Sequence, residues 1–238
     1  MAEYKNFEHY LENKNEEPPK ETFKVVASYL EEHSKRSNVA SALDIGCAAG
    51  DLLQFISRNH GNIDLVGIDV FQELLVVAEK KVPRANFINA SVLSMPSSFT
   101  ERFDFVSAVG VMSIFNEDEV NAFWENLVRV TRPGGMIVVL SPLNEYGVDA
   151  IIKHRKRSRE SLLAWETGWN IFSVETIEEI VNNLNHEVEF EKFRFTGHLN
   201  PQSDPVRTWT LPTKENSYQL TNGIKLLVDH YFMVVRRC

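Results

Sequence analysis

The chain has 238 residues, of which 24% are charged and 43% hydrophobic, and a formal net charge of -8. At roughly 100–200 residues per domain this is one large domain, long enough to bury a sizeable core. The acidic balance argues against broad electrostatic capture of nucleic acid or anionic membrane, no apolar run reaches the roughly 18–20 residues of a membrane helix, and two cysteines exclude a disulfide scaffold and a cysteine-rich zinc site.

The first residues, Met1-Ala2-Glu3-Tyr4-Lys5, lack the basic-then-apolar order of a secretory signal, so a cytoplasmic address is expected. Residues 1–38 read as an N-terminal helical cap. Tyr4, Phe7 and Tyr10 recur at helical spacing, and Pro18-Pro19 opens a helix carrying Phe23, Val26 and Leu30. Residues 42–45 are a short strand, and 50–58 a helix with Leu52, Leu53 and Ile56 on one face. Residues 65–68 are the next strand, with Asp69 at its carboxyl end, followed by a helical pattern over 72–81. Strands are expected at 86–90 and 103–109. Asn116 is placed as an N-cap, with Glu117, Asp118 and Glu119 at the positive end of a helix that Pro133-Gly134-Gly135 stops. Residues 136–140 are apolar throughout, as a strand covered on both faces requires. Strands alternating with helices imply an α/β, doubly wound, mostly parallel sheet of seven strands with helices on both faces. Ligands then bind at the edge formed by the strands' carboxyl ends.

The C-terminal third departs from that alternation. Residues 173–185 read as a helix capped by Ser173. Residues 188–195 read as a strand whose apolar parity switches between Phe190 and Phe193, which predicts a bulge. Residues 224–235 read as one long strand, so the last two strands form an antiparallel hairpin added to the sheet. The connection over roughly 196–223 is long and polar. With the segment 142–172 it reads as an insertion forming a substrate lid on a single domain spanning 1–238.

The chemistry-bearing stretch is Asp44-Ile45-Gly46-Cys47-Ala48-Ala49-Gly50, where a strand runs through a small-residue turn into a helix. Small residues allow close backbone approach to a ligand, and free N–H groups at the helix start face it. Asp69 is placed to accept hydrogen bonds from a ribose diol. Alone, this says only that the ligand contains a nucleoside. Ala48 stands where G-x-G-x-x-G would have its second glycine, which disfavours NAD.

These residues resemble the first motif of the class I S-adenosylmethionine-dependent methyltransferases. Val66-Gly67-Ile68-Asp69 resembles their second motif, Phe87-Ile88-Asn89-Ala90-Ser91-Val92 the third, and Phe103-Asp104-Phe105-Val106 the fourth. Leu127 to Gly135 resembles the helix and turn before their fifth strand. The resemblance covers about residues 40–141. It implies S-adenosylmethionine as donor, S-adenosylhomocysteine as product and no metal. It implies that Gly46, Cys47, Ala48 and Gly50 form the turn along the methionine portion, with Asp44 helping to hold its ammonium group. Asp69 would bind the ribose, Val70 and Phe71 flank the adenine, and Ser91 and Val92 meet its ring edge. Val109 and Gly110 would floor the site beside the reactive methyl. Cys47 reads as a small residue of the turn, since no base stands near it.

Methyl transfer is an in-line displacement that needs alignment, exclusion of water and, for an oxygen nucleophile, a base. Ser107-Ala108-Val109-Gly110-Val111-Met112 contains no Asn/Asp-Pro-Pro-Tyr run, no Pro-Cys and no carboxylate. That disfavours methylation of base amino groups, carbon-5 pyrimidine chemistry and a metal-dependent catechol mechanism. Candidate bases are His154, His198 and His230, each weighed against a plainer role: a solvated face for His154 and a satisfied core or rim position for His230. Candidate acceptor contacts are Tyr10, Tyr146, Trp169 and Arg207, each with loop packing as the alternative. The favoured reading is transfer to oxygen or nitrogen of a small molecule, by a monomer or homodimer without membrane or nucleic-acid partners. The alternatives are an RNA or protein methyltransferase, supported only by the basic run from His154 to Arg159, and a non-catalytic binder of S-adenosylmethionine.

Overall fold

Alternate residues of the central strands belong to opposite faces of one sheet, and both faces are buried. In β5 (Thr131–Asn144), Ile137 and Val139 join one hydrophobic cluster while Met136, Val138 and Leu140 join another. The computed structural model describes residues 20–157, 164–214 and 217–237. The expectations placed on Tyr4, Phe7 and Tyr10 lie outside these residues.

The strands are β1 (Ser41–Ile45), β2 (Asp64–Asp69), β3 (Asn86–Asn89), β4 (Phe103–Val109), β5, β6 (Val188–Phe193) and β7 (His230–Arg236). Their spatial order is β3-β2-β1-β4-β5-β7-β6. The pairs among β1 to β5 are parallel, and β7 lies antiparallel between β5 and β6. The architecture is the mostly parallel, seven-strand sheet with an antiparallel C-terminal pair that the sequence predicts. Helices α1 (Glu21–Arg36) and α2 (Asp51–Asn59) pack on one face through Phe23, Val26, Leu30, Leu52, Leu53 and Ile56. The helices α4 (Glu117–Val130) and α5 (Val174–Asn183) cover the other through Phe123, Trp124, Leu127, Ile177 and Val181. Between β2 and β3, α3 (Gln72–Lys81) buries Leu74, Leu75 and Ala78.

Local chemistry sets the helix starts. The Asn116 side chain accepts from Asp118 N and Glu119 N, and Glu119 accepts from Asn116 N in return. Ser173 accepts from Thr176 N at the start of α5.

Three expectations need correction. The bulge predicted in 188–195 is absent: β6 pairs in unbroken register with β7 and ends at Phe193. The parity switch arises because Val188 and Phe190 pack on one face of the sheet and Phe193 on the other. The long strand predicted over 224–235 is broken at Asp229, leaving Leu227–Val228 in a separate sheet. The connection read as polar loop supplies the other two strands of that antiparallel sheet, Trp209–Pro212 and Tyr218–Thr221, which join Leu227–Val228. These strands are two to four residues long, too short for alternation to stand out from loop composition. In the first insertion, Lys153–His154 pairs with Glu166–Thr167, and Phe172–Ser173 pairs parallel to the end of β5.

Candidate functional site

Parallel pairing brings the carboxyl ends of β1, β2, β3 and β4 to one edge, at Ile45, Asp69, Asn89 and Val109. There the chain leaves β1 through Gly46, Cys47 and Ala48. Gly46 N and Cys47 N both donate to Ile68 O, at 2.9 and 3.0 Å, which draws the turn across the end of β2. Gly46, Ala48 and Gly50 adopt positive φ values of 66°, 46° and 77°. A Cβ on Gly46 would also lie 2.5 Å from Val111 Cγ2. Ala48 holds a left-handed conformation that costs an L-residue roughly 1–2 kcal/mol, and the Asp69 carboxylate fixes it. Asp69 Oδ2 accepts from Ala48 N at 2.9 Å, and Oδ1 accepts from Phe71 N at 3.0 Å. Burial pushes the Asp69 carboxyl upward while these amides oppose the shift. The Val70 amide is a third backbone donor to the same carboxylate.

Asp44 is buried at the end of β1 and accepts from Ser107 Oγ at 2.8 Å. Burial pushes its pKa up to about 7, Ser107 opposes, and Asp69 adds repulsion. No cation accompanies Asp44 among the described residues, so a carboxylate here is left for a charged group supplied by a ligand.

These groups line a cavity of about 550 Å³, within the range of small-molecule sites. Eleven of the sequence-predicted cofactor residues face it: Asp44, Gly46, Cys47, Ala48, Asp69, Val70, Phe71, Ser91, Val92, Val109 and Gly110. Gly50 does not; it caps α2, and a Cβ there would lie 3.0 Å from Ala78 Cβ. Gly110, at φ 73°, has open space where a Cβ would project. Ser91 lines the cavity, but its hydroxyl accepts from Leu93 N and caps the short turn Val92–Ser94. Burial pushes the Cys47 thiol well up, so it stays protonated.

On the opposite side the cavity meets His154, Trp169, Arg207 and His230. His198 does not reach it: its ring nitrogens lie 3.1 and 3.2 Å from Asn200 Oδ1 and Thr210 Oγ1. Tyr146 is 84% exposed and also lies outside the lining. The predicted solvated face for His154 is corrected, since the ring is half-buried on the cavity. Its basic neighbours are engaged within the chain. Lys156 lies 3.5 Å from Asp204, which also pairs with Arg207, and Arg155 stacks over Trp165.

The residue that orders this wall is Asn170, which sequence reasoning missed. Fully buried, it accepts from Ile152 N, and its side chain donates to Phe115 O while its own N–H donates to Ser113 O. It thereby ties the first insertion to the turn after β4 and holds Trp169, at φ 65°, beside the cavity. Its only sequence signal is one polar residue in the otherwise apolar run from Trp169 to Phe172. Ser113, Phe115 and Pro142 also line the cavity and were missed, although they directly follow β4 or lie near the end of β5.

The fold and the carboxylate-bound turn define an α/β domain with a cavity at the carboxyl ends of its parallel strands. Residues 42–135 match a family model described as a methyltransferase domain. Over that stretch the match supports the resemblance to the class I S-adenosylmethionine-dependent methyltransferases. It is 28% identical over 101 residues to a demethylmenaquinone methyltransferase of Chlorobaculum tepidum, covering 42% of this chain and 40% of the relative. It is 26% identical over 155 residues to a tRNA N(3)-methylcytidine methyltransferase of Schizosaccharomyces pombe, covering 60% and 49%. The chain thus spans about half the length of the curated relatives it matches. Among solved structures, a S-adenosylmethionine-dependent methyltransferase from Clostridium acetobutylicum superposes with TM-score 0.60 at 11% identity, covering 94% of each chain. The cyclase SpnF superposes with TM-score 0.62 at 16% identity, covering 95% of this chain and 85% of that one. At such identities the likeness is one of fold.

Proposed function

We propose that this chain moves a methyl group from S-adenosylmethionine to an oxygen or nitrogen of a small molecule. The donor reading is carried by one observation: a buried Asp44 that no cation among the described residues accompanies and a carboxylate-bound turn line the same cavity. The residues fit the donor. Asp44 suits its ammonium group, the Asp69 carboxylate at the cavity suits a ribose hydroxyl, and the space before Gly110 suits the reacting centre. When bound, the donor supplies an electrophilic methyl on a sulfonium with a good leaving group. The protein aligns donor and acceptor and keeps water out.

The segments 142–172 and 196–223 serve in this reading as walls of an acceptor pocket, through Trp169, Val206 and Arg207. RNA is the second reading, because the relatives include tRNA methyltransferases. Two features favour the small molecule. The net charge is -8, and Lys156 and Arg155 are spent on Asp204 and Trp165. Thermal stabilisation by S-adenosylmethionine against NAD tests the donor. Release of S-adenosylhomocysteine with small acceptors and with tRNA tests the acceptor. Turnover with tRNA alone would replace the small-molecule reading.

A further inference from the structure

Two histidines on the cavity wall have ring nitrogens that no group among the described residues engages. His154 lies on the short strand Lys153–His154, paired with Glu166, and both its Nδ1 and Nε2 are buried without a hydrogen-bond partner. His230 opens β7 level with Pro142, and its buried Nδ1 has none either. Both rings line the cavity that holds the turn at Gly46. A buried polar atom without a partner costs about 1–3 kcal/mol, so three on one cavity call for a ligand that hydrogen-bonds there.

We infer that His154 is the general base of this site and that the acceptor is a weakly acidic hydroxyl, a phenol or an enol, rather than an amine. The inference rests on the donor reading above. An amine needs only to be neutral to attack, whereas a hydroxyl must lose a proton. Burial holds His154 below the ordinary imidazole value; Glu166 and Asp204 oppose this and Lys156 adds to it. His154 is therefore neutral at pH 7 and free to accept. Burial takes His230 further, down to about 4, with Asp229 opposing. His230 is too weak a base for the transfer and serves to accept a hydrogen bond that orients the acceptor. An imidazole can take the proton of a phenol, whose pKa is about 10, far more readily than that of an unactivated alcohol.

The step balances. The acceptor's O–H proton passes to a ring nitrogen of His154, and the oxygen's electron pair forms the O–CH3 bond. The S–CH3 bond breaks with its pair left on sulfur. Products are the methyl ether, S-adenosylhomocysteine and an imidazolium that returns its proton to water.

The test measures S-adenosylhomocysteine release with catechol, 4-nitrophenol and 4-hydroxybenzoate against aniline and benzylamine. Wild type, His154→Gln, His154→Asn, His230→Gln and His198→Gln are compared, with thermal stabilisation by S-adenosylmethionine as the check of folding and donor binding. Turnover is expected with phenols only. Both His154 variants should lose about 100-fold or more in kcat and the acidic limb of the pH profile. His230→Gln should mainly raise KM, and His198→Gln should match wild type. Turnover of amines, no turnover of any phenol by a protein that S-adenosylmethionine stabilises, or a His154 variant that keeps kcat and the acidic limb would overturn the inference alone. Failure of S-adenosylmethionine to stabilise wild type would overturn it together with the donor reading.

Discussion

One side of the cavity is gripped by the main chain and the other by side chains. At the ends of β1 and β2, Gly46 N and Cys47 N bind Ile68 O, and Ala48 N and Phe71 N bind the Asp69 carboxylate. Across from them, Asn170, Asp149 and Asp204 fasten two inserted segments through side-chain bonds to Ile152, Phe115, Ser173 and Lys156. The first side depends on a few adjacent residues and a neighbouring strand. The second depends on residues brought together only when distant loops dock. On the proposed function, the main-chain side takes the donor common to the family, and the side-chain side takes an acceptor particular to this protein.

If the two sides are independent, substitutions should separate them. The largest effect should come from Asp44→Asn. The folded protein holds the Asp44 proton more tightly than the unfolded chain, because its pKa is raised to about 7. The associated stability is full below the ordinary carboxylate value and is lost as pH rises through about 7. At pH 8 the variant, freed of a buried charge, should gain about 2–4 kcal/mol of unliganded stability. It should lose roughly 100-fold or more in affinity for S-adenosylhomocysteine, whose ammonium loses its partner. In wild type that affinity should rise between pH 6 and 7.5 as Asp44 deprotonates. Denaturant melts and calorimetry at three pH values check both signs, and a flat profile would remove Asp44 from the donor side.

Asn170→Ala should come next. It leaves part-buried Ile152 N and buried Phe115 O without the Asn170 side chain, a loss of about 2 kcal/mol. Urea unfolding should show it, with stabilisation by S-adenosylhomocysteine kept. Loss of that stabilisation would show that the two sides are coupled. Lys156→Gln should be smallest. Its partly buried pair with Asp204 is worth about 1 kcal/mol or less, and its removal should leave donor affinity unchanged in the same calorimetric titration.

The contrast also explains what the sequence made legible. Strands β1 to β5 and the turn at Gly46 announce themselves through local pattern: apolar runs, small residues and an acid at a strand end. Ser173 and Asn116 likewise mark helix starts within four residues. The bulge expected near Phe190 failed because this edge strand sets Val188 and Phe190 against one hydrophobic cluster and Phe193 against the other, so it does not keep one apolar parity. The sheet formed by Trp209–Pro212, Tyr218–Thr221 and Leu227–Val228 was hidden by its brevity. Of the candidate bases, His154 and His230 line the cavity and His198 does not, because access depends on how the inserted segments dock. Asn170, a single amide in an otherwise apolar run, decides that docking for the first insertion.

The central claim is that the Asp69 carboxylate both shapes the turn at Ala48 and holds the donor's ribose. Calorimetric titration of S-adenosylhomocysteine into wild type and Asp69→Ala at pH 7.5 tests it most directly. The account predicts saturable binding to wild type and a loss of at least about 100-fold in the variant, about 2.7 kcal/mol or more. Equal affinities in the two proteins would contradict it.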